Sequence, residues 1–157
     1  MTKLTGRSAI WIEALRHTSL FSNCTKSELR AIASLTSMKD VESGAVLAEQ
    51  GQQGHEFFVV TEGSATATRD GEWLAELQSG SFFGELALLD GGVRTATVVA
   101  DTDMSLLLLS KNEFNSLQFS APSVAHKILV EMARRLRRTY EMWDDKRPPV
   151  LSEVASL

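Results

Sequence analysis

Residues 82–98 read FFGELALLDGGVRTATV, and Gly84, Glu85, Arg94 and Thr95 are the types in that stretch that could do chemistry. Phe82 and Phe83 end an apolar strand. Gly84 has no side chain to keep a ligand away from the backbone. GELALL is compatible with a short helix, and a helix starting near Gly84 would aim free backbone N–H groups outward, where donors and dipole together favour an anion. Arg94 can add a bidentate, charge-assisted clamp on the same anion. Glu85 would repel an anion, so its sensible partner is a hydroxyl donor. One carboxylate and one guanidinium with amide donors between them suit a small ligand carrying a sugar hydroxyl and a phosphate. The same two residues would also make an ordinary ion pair at a helix start, where a glutamate is favourable in any protein.

Those residues need elements to hold them. Residues 8–16 (SAIWIEALR) carry a weak helical pattern. Thr25 with Glu28 three positions later predicts a capping box, followed by a stripe of Leu29, Ile32, Ala33 and Leu35. From about residue 37 to 109 the period becomes that of strands: 45–49, 56–62, 64–69, 72–77, 95–100 and 104–109. Gly51, Gly54, Gly63, Asp70-Gly71 and Gly80 supply the turns between them. Short strands at regular spacing predict a mainly β fold, an antiparallel β-roll or jelly-roll sandwich that manages its own edges. The helical period returns in Val124, Ile128, Met132, Leu136 and Tyr140, with Pro122 at the start and Pro148-Pro149 stopping any continuation. The predicted divisions are a helical segment at 1–20, the β-roll at 21–121, a C-terminal helix at 122–145 and a flexible tail at 146–157.

Composition narrows the class. The 157 residues are 43% apolar and 23% charged, the proportions of one globular domain. No apolar run approaches a membrane span, and Glu13 interrupts the stretch after Lys3 and Arg7, which argues against a secretory signal. A lone Cys24 excludes an internal disulfide and fits a reducing cytoplasm. The net charge of −4 is uneven: residues 126–147 carry +3, leaving −7 elsewhere. The one basic cluster, Arg134, Arg135, Arg137 and Arg138, is followed at once by acids, unlike a nucleic-acid-binding face. His17, His55 and His126 are scattered, so no metal site is expected, and no G-x-S-x-G elbow is present. The chain is expected to have no enzyme activity.

FGELALLDGGVRTATV resembles the phosphate-binding cassette of cyclic-nucleotide-binding domains, matching at Phe83–Leu89 and again at Arg94–Val98. Upstream, Gly51, Gly54, Phe57 and Gly63 are similar to that family's glycine-spaced strand segment. The resemblance spans roughly residues 20–143. It implies that Glu85 accepts the ribose 2′-hydroxyl and that Arg94 pairs with the cyclic phosphate. Thr95 would contact that phosphate, and backbone groups at Gly84, Leu86 and Ala87 would complete the cradle. Where many members have proline before the arginine, this chain has Val93.

Residues 130–141 (VEMARRLRRTYE) are similar to the central helix of catabolite-activator-type proteins. That likeness implies Leu136 against the purine, Thr139 near the adenine amino group, and Arg135 close to Glu85 and the phosphate. Thr95 fits selection of cGMP in some relatives, whereas Thr139 favours cAMP, and cAMP is the expected ligand. The long stripe predicts either a homodimer through the C-terminal helix or a lid, with Tyr140 or Trp143 at hand to cap a base. The expected role is that of a regulatory module acting on an effector protein, with no metal, membrane or nucleic-acid partner of its own. The alternative is the sensing part of a transcription regulator. Only 14 residues follow Trp143, too few for a helix-turn-helix.

Overall fold

The computed structural model describes residues 5–144. Helix α1 spans Thr5–Arg16, and a 3-10 turn at Ser19–Phe21 leads into α2, Lys26–Leu35. Eight strands follow: β1 (Ser37–Val41), β2 (Val46–Ala48), β3 (Glu56–Glu62), β4 (Ala65–Arg69), β5 (Glu72–Leu77), β6 (Phe82–Phe83), β7 (Thr97–Ala100) and β8 (Met104–Ser110). A 3-10 turn, Glu85–Leu88, separates β6 from β7. Helices α3 (Lys111–Ser120) and α4 (Pro122–Asp144) close the described chain.

The strands form two antiparallel four-stranded sheets, ordered β1-β8-β3-β6 and β2-β7-β4-β5, which is the sandwich the turn spacing predicts. β3 reads as a nearly continuous apolar run because both its faces are covered. Phe58 and Val60 point into the sandwich with Ala65, Ala67, Val98, Ala100 and Leu106. Phe57 and Val59 point the other way, into a second core with Leu29, Ile32, Leu107, Phe114, Leu117, Val124 and Ile128. The helices therefore wrap one face of one sheet.

The Thr25–Glu28 capping box forms as read: Glu28 N–H donates to Thr25 Oγ1 at 3.2 Å, and Thr25 N–H donates to Glu28 Oε1 at 2.9 Å. A second box, Ser110 with Glu113, starts α3, a helix that the expected β-roll to residue 121 leaves out. Its signal is the same S-x-x-E pattern, and it buries only Phe114 and Leu117. That short stripe offers little periodicity. α1 begins earlier than residue 8, and the expected tail at 146–157, with Pro148-Pro149, lies outside the described residues.

The first half of α4 is fixed to this frame. Val124, Ala125 and Ile128 are buried. Lys127 Nζ and Ser123 Oγ both donate to the Glu28 carboxylate, the latter at 3.0 Å. One turn on, Asn23 Nδ2 donates to the buried Glu131 at 3.0 Å, and Arg134 pairs with the same carboxylate. Lys127, with the Thr25 backbone N–H next, holds the Glu28 carboxyl down at about 2. Cys24 is half-buried beside these contacts, and burial pushes its thiol up to about 11.

Candidate functional site

β6 delivers the chain to the site and Gly84 turns it. Gly84 has φ +81°, the left-handed region that other residues avoid, and caps the 3-10 turn holding Glu85, Leu86 and Ala87. The element expected to be a helix is thus a single tight turn, which buries Leu88 and ends as Leu89 and Asp90 N–H return to the Leu86 carbonyl. Asp90 stays exposed, its Oδ1 accepting from Gly92 N–H at 2.8 Å.

The return segment is pinned to the glycine loop before β3. Arg94 N–H donates to Gln52 O at 2.7 Å, Gly51 N–H to Arg94 O at 2.9 Å, and Gly54 N–H to Gly92 O at 3.3 Å. Gln53 Nε2 donates to Gly91 O at 2.9 Å, and Val93 forms an antiparallel bridge with Gln53. This bracing holds the turn in which Val93 stands just before Arg94.

Arg94 then threads between two glycines. A Cβ at Gly54 would collide with its guanidinium stem. A Cβ at Gly84 would lie 2.6 Å from its Nη1 and 2.7 Å from Glu56 O. Within that slot Nη1 donates to Glu56 O at 2.8 Å, and the guanidinium carbon lies 5.5 Å from the Phe58 ring centre. Burial lowers the Arg94 pKa, with the Glu56 charge working the other way. Among the described residues no carboxylate makes an ion pair with it. Arg94 is a partly desolvated cation short of a counter-charge, and that arrangement favours an incoming anion.

Beside the slot lies a cleft of about 170 Å³ whose wall includes Gly84, Glu85, Leu86, Arg94, Thr95, Ala96 and, from α4, Arg135. Arg135 stacks over the Phe82 ring at 4.2 Å and brings Nη1 to 4.0 Å from Glu85 Oε1, within Coulombic reach but beyond hydrogen-bond distance. That Nη1 is buried and has no hydrogen-bond partner among the described residues. The plain alternative of an Arg94–Glu85 ion pair is not what forms: the arginine facing Glu85 is Arg135.

Of the residues singled out in the sequence, Gly84, Glu85, Leu86, Arg94, Thr95 and Arg135 meet at this cleft, and Ala87 lies in the same turn as Glu85 and Leu86. Leu136 and Thr139 do not reach the cleft wall. Leu136 is 55% exposed, and the exposed Thr139 donates its hydroxyl to Arg135 O at 3.0 Å. Sequence reasoning missed the support around Arg94, namely the Glu56 carbonyl and the Phe58 ring. It took Gly54 as a turn residue and a match of pattern, not as the glycine that lets Arg94 pass. The usable signal was there: a glycine two residues before an apolar strand marks a close approach.

Comparison with known proteins agrees with this architecture. The family model described as Cyclic nucleotide-binding domain matches residues 38–120. A cyclic nucleotide-gated potassium channel of Rhizobium etli is 39% identical over 110 residues, 69% of this chain and 30% of that protein. A cAMP-dependent protein kinase regulatory subunit of Hypocrea atroviridis is 31% identical over 112 residues, 71% of this chain and 24% of that protein. The chain thus spans less than a third of either relative's length. Among solved structures, the N-terminal domain of a transcriptional regulator from Streptomyces coelicolor superposes with a TM-score of 0.74 at 32% identity, covering 83% of this chain and 94% of that one. A two-sheet roll carrying a glycine-flanked arginine over an open cleft, with a family match across more than half the sequence, identifies this chain as a member of the cyclic nucleotide-binding domain family.

Proposed function

We propose that the cleft takes a cyclic nucleotide, cAMP in preference to cGMP, and that occupancy is passed to a partner chain through the second half of α4. The observation that carries this reading is the state of Arg94, half-desolvated, aimed by a carbonyl and two glycines, and lacking a carboxylate of its own among the described residues. A cyclic phosphodiester supplies the missing charge. Glu85 accepts the ribose 2′-hydroxyl, Thr95 and the amides of Gly84, Leu86 and Ala87 donate to the phosphate, and Arg135 adds a second positive charge.

The purine contacts come from α4. Leu136 and Thr139 lie one and four positions beyond Arg135 and stay exposed until the helix folds toward the cleft. The kinase relative is named for cAMP, which agrees with the choice of base. The channel and transcription-regulator relatives mark two other outputs of the same fold, and the sensing part of a transcription regulator is the second reading.

Calorimetric titration of the wild-type protein and Arg94→Ala with cAMP and cGMP tests the assignment. Removing charge-assisted hydrogen bonds at about 1.5–3 kcal/mol each should weaken binding by about a hundredfold or more, with little change in melting temperature. Glu85→Ala should cost less, since it loses the partner of a neutral hydroxyl. Unchanged affinity in Arg94→Ala overturns the site.

A further inference from the structure

β4 and β7 pair in register as far as Thr68 opposite Thr97, and there the ladder stops. Asp70 (φ +53°) and Gly71 (φ +78°) turn β4 back into β5. The Asp70 N–H, which would be next along the ladder, donates instead to Gln50 Oε1 at 2.8 Å. Gln50 Nε2 returns a hydrogen bond to Asp70 Oδ1 at 2.8 Å, and its own N–H reaches Thr97 Oγ1 at 3.0 Å. The Thr95 carbonyl, left without a strand partner, is taken by the exposed Arg69, whose Nε donates to it at 2.8 Å. Nothing in the proposed reading uses this arginine.

A trans peptide unit points its C=O and N–H in opposite directions, and this chain has no cis bond among its described residues. Drawing the Thr95 carbonyl toward Arg69 therefore turns the Ala96 N–H away from Arg69. Ala96 lines the cleft beside Arg94, and Arg69 does not. Among the described residues neither the Thr95 nor the Ala96 N–H has an acceptor. The Ala96 N–H is thus an unpaired main-chain donor beside a guanidinium, a combination that suits a phosphate oxygen.

We propose that Arg69 is a positioning residue for the anion: by holding the Thr95 carbonyl it fixes the Thr95–Ala96 peptide so that the Ala96 N–H donates to the nucleotide's phosphate. The inference rests on the cleft being the cyclic-nucleotide site and adds to it a residue that never touches the ligand. Arg69 is also tied into the hairpin tip, so the Gln50–Asp70 brace and the anion site share one short segment.

The test combines calorimetry with amide NMR on the wild-type protein, Arg69→Ala and Arg69→Met, using cAMP and cGMP as probes. The Met variant keeps the aliphatic stem should truncation loosen the hairpin. In the wild-type protein the Ala96 amide proton should move downfield as nucleotide is added. In both variants that shift should be lost and affinity should fall about three- to tenfold, the worth of one hydrogen bond. Weaker binding with the Ala96 shift retained would mean that only the arginine's charge matters, which overturns the proposal, as does unchanged affinity. If the wild-type protein itself bound neither nucleotide, the functional reading would fall and this inference with it.

Discussion

Gly54 and Gly84 flank the same guanidinium, yet they do not tolerate a methyl group equally. At Gly84 an added Cβ meets both the Glu56 carbonyl and Arg94, on a backbone already at φ +81°. At Gly54 the nearest atoms all belong to the Arg94 side chain, which can turn aside. Gly54→Ala should therefore cost under about 1 kcal/mol of stability while weakening cyclic-nucleotide binding about tenfold, because the displaced guanidinium loses its hydrogen-bonding geometry. Thermal melts alongside calorimetry separate the two effects. Equal damage to stability and affinity would mean that the glycine serves the loop rather than the arginine.

Glu28 works at the scale of elements, closing the cap of α2 while anchoring α4 through Lys127 and Ser123. Its carboxyl is held at about 2 against an ordinary value near 4.5, so the folded state favours the ionised form. The stability this adds is present above about pH 4.5 and is lost as pH falls toward 2. Glu28→Gln should lower the melting temperature at neutral pH and flatten its decline across that acid window, as followed by circular dichroism. The Thr25–Glu28 box, the strand runs and the Gly84–Glu85 turn are legible in the sequence because each depends on neighbours a few positions away, whereas Gly54 lies 40 positions from the arginine it flanks. The tie between Glu28 and α4 spans 99 positions and leaves no local trace. Likewise Arg135 opposite Glu85 follows from a family likeness, whereas spacing alone suggested an Arg94–Glu85 pair. α3 escapes notice because two buried residues make a weak period.

Over the whole molecule, α4 divides into a buried first half and a more exposed second half, which meets the cleft through Arg135 over Phe82. Val124, Ala125 and Ile128 are buried and Glu131 is clamped, whereas Leu136 and Tyr140 lie on the exposed part of the same stripe, Tyr140 39% exposed. If ligand draws the second half further toward the cleft, amide hydrogen exchange over residues 132–144 should slow on adding cAMP while residues 122–130 stay unchanged. A uniform response along α4 would argue for movement of the helix as one rod. Pairing of two chains through the exposed stripe would slow exchange there as well, and measuring it at several protein concentrations separates the two causes. The half-buried thiol near the tether has a practical result. Burial pushes the Cys24 thiol up to about 11, so little thiolate is present at neutral pH and the group should react sluggishly with alkylating reagents. A fluorophore coupled to one cysteine newly placed on the outer turns of α4 would then mark that site alone, with the native thiol left in place as a silent bystander.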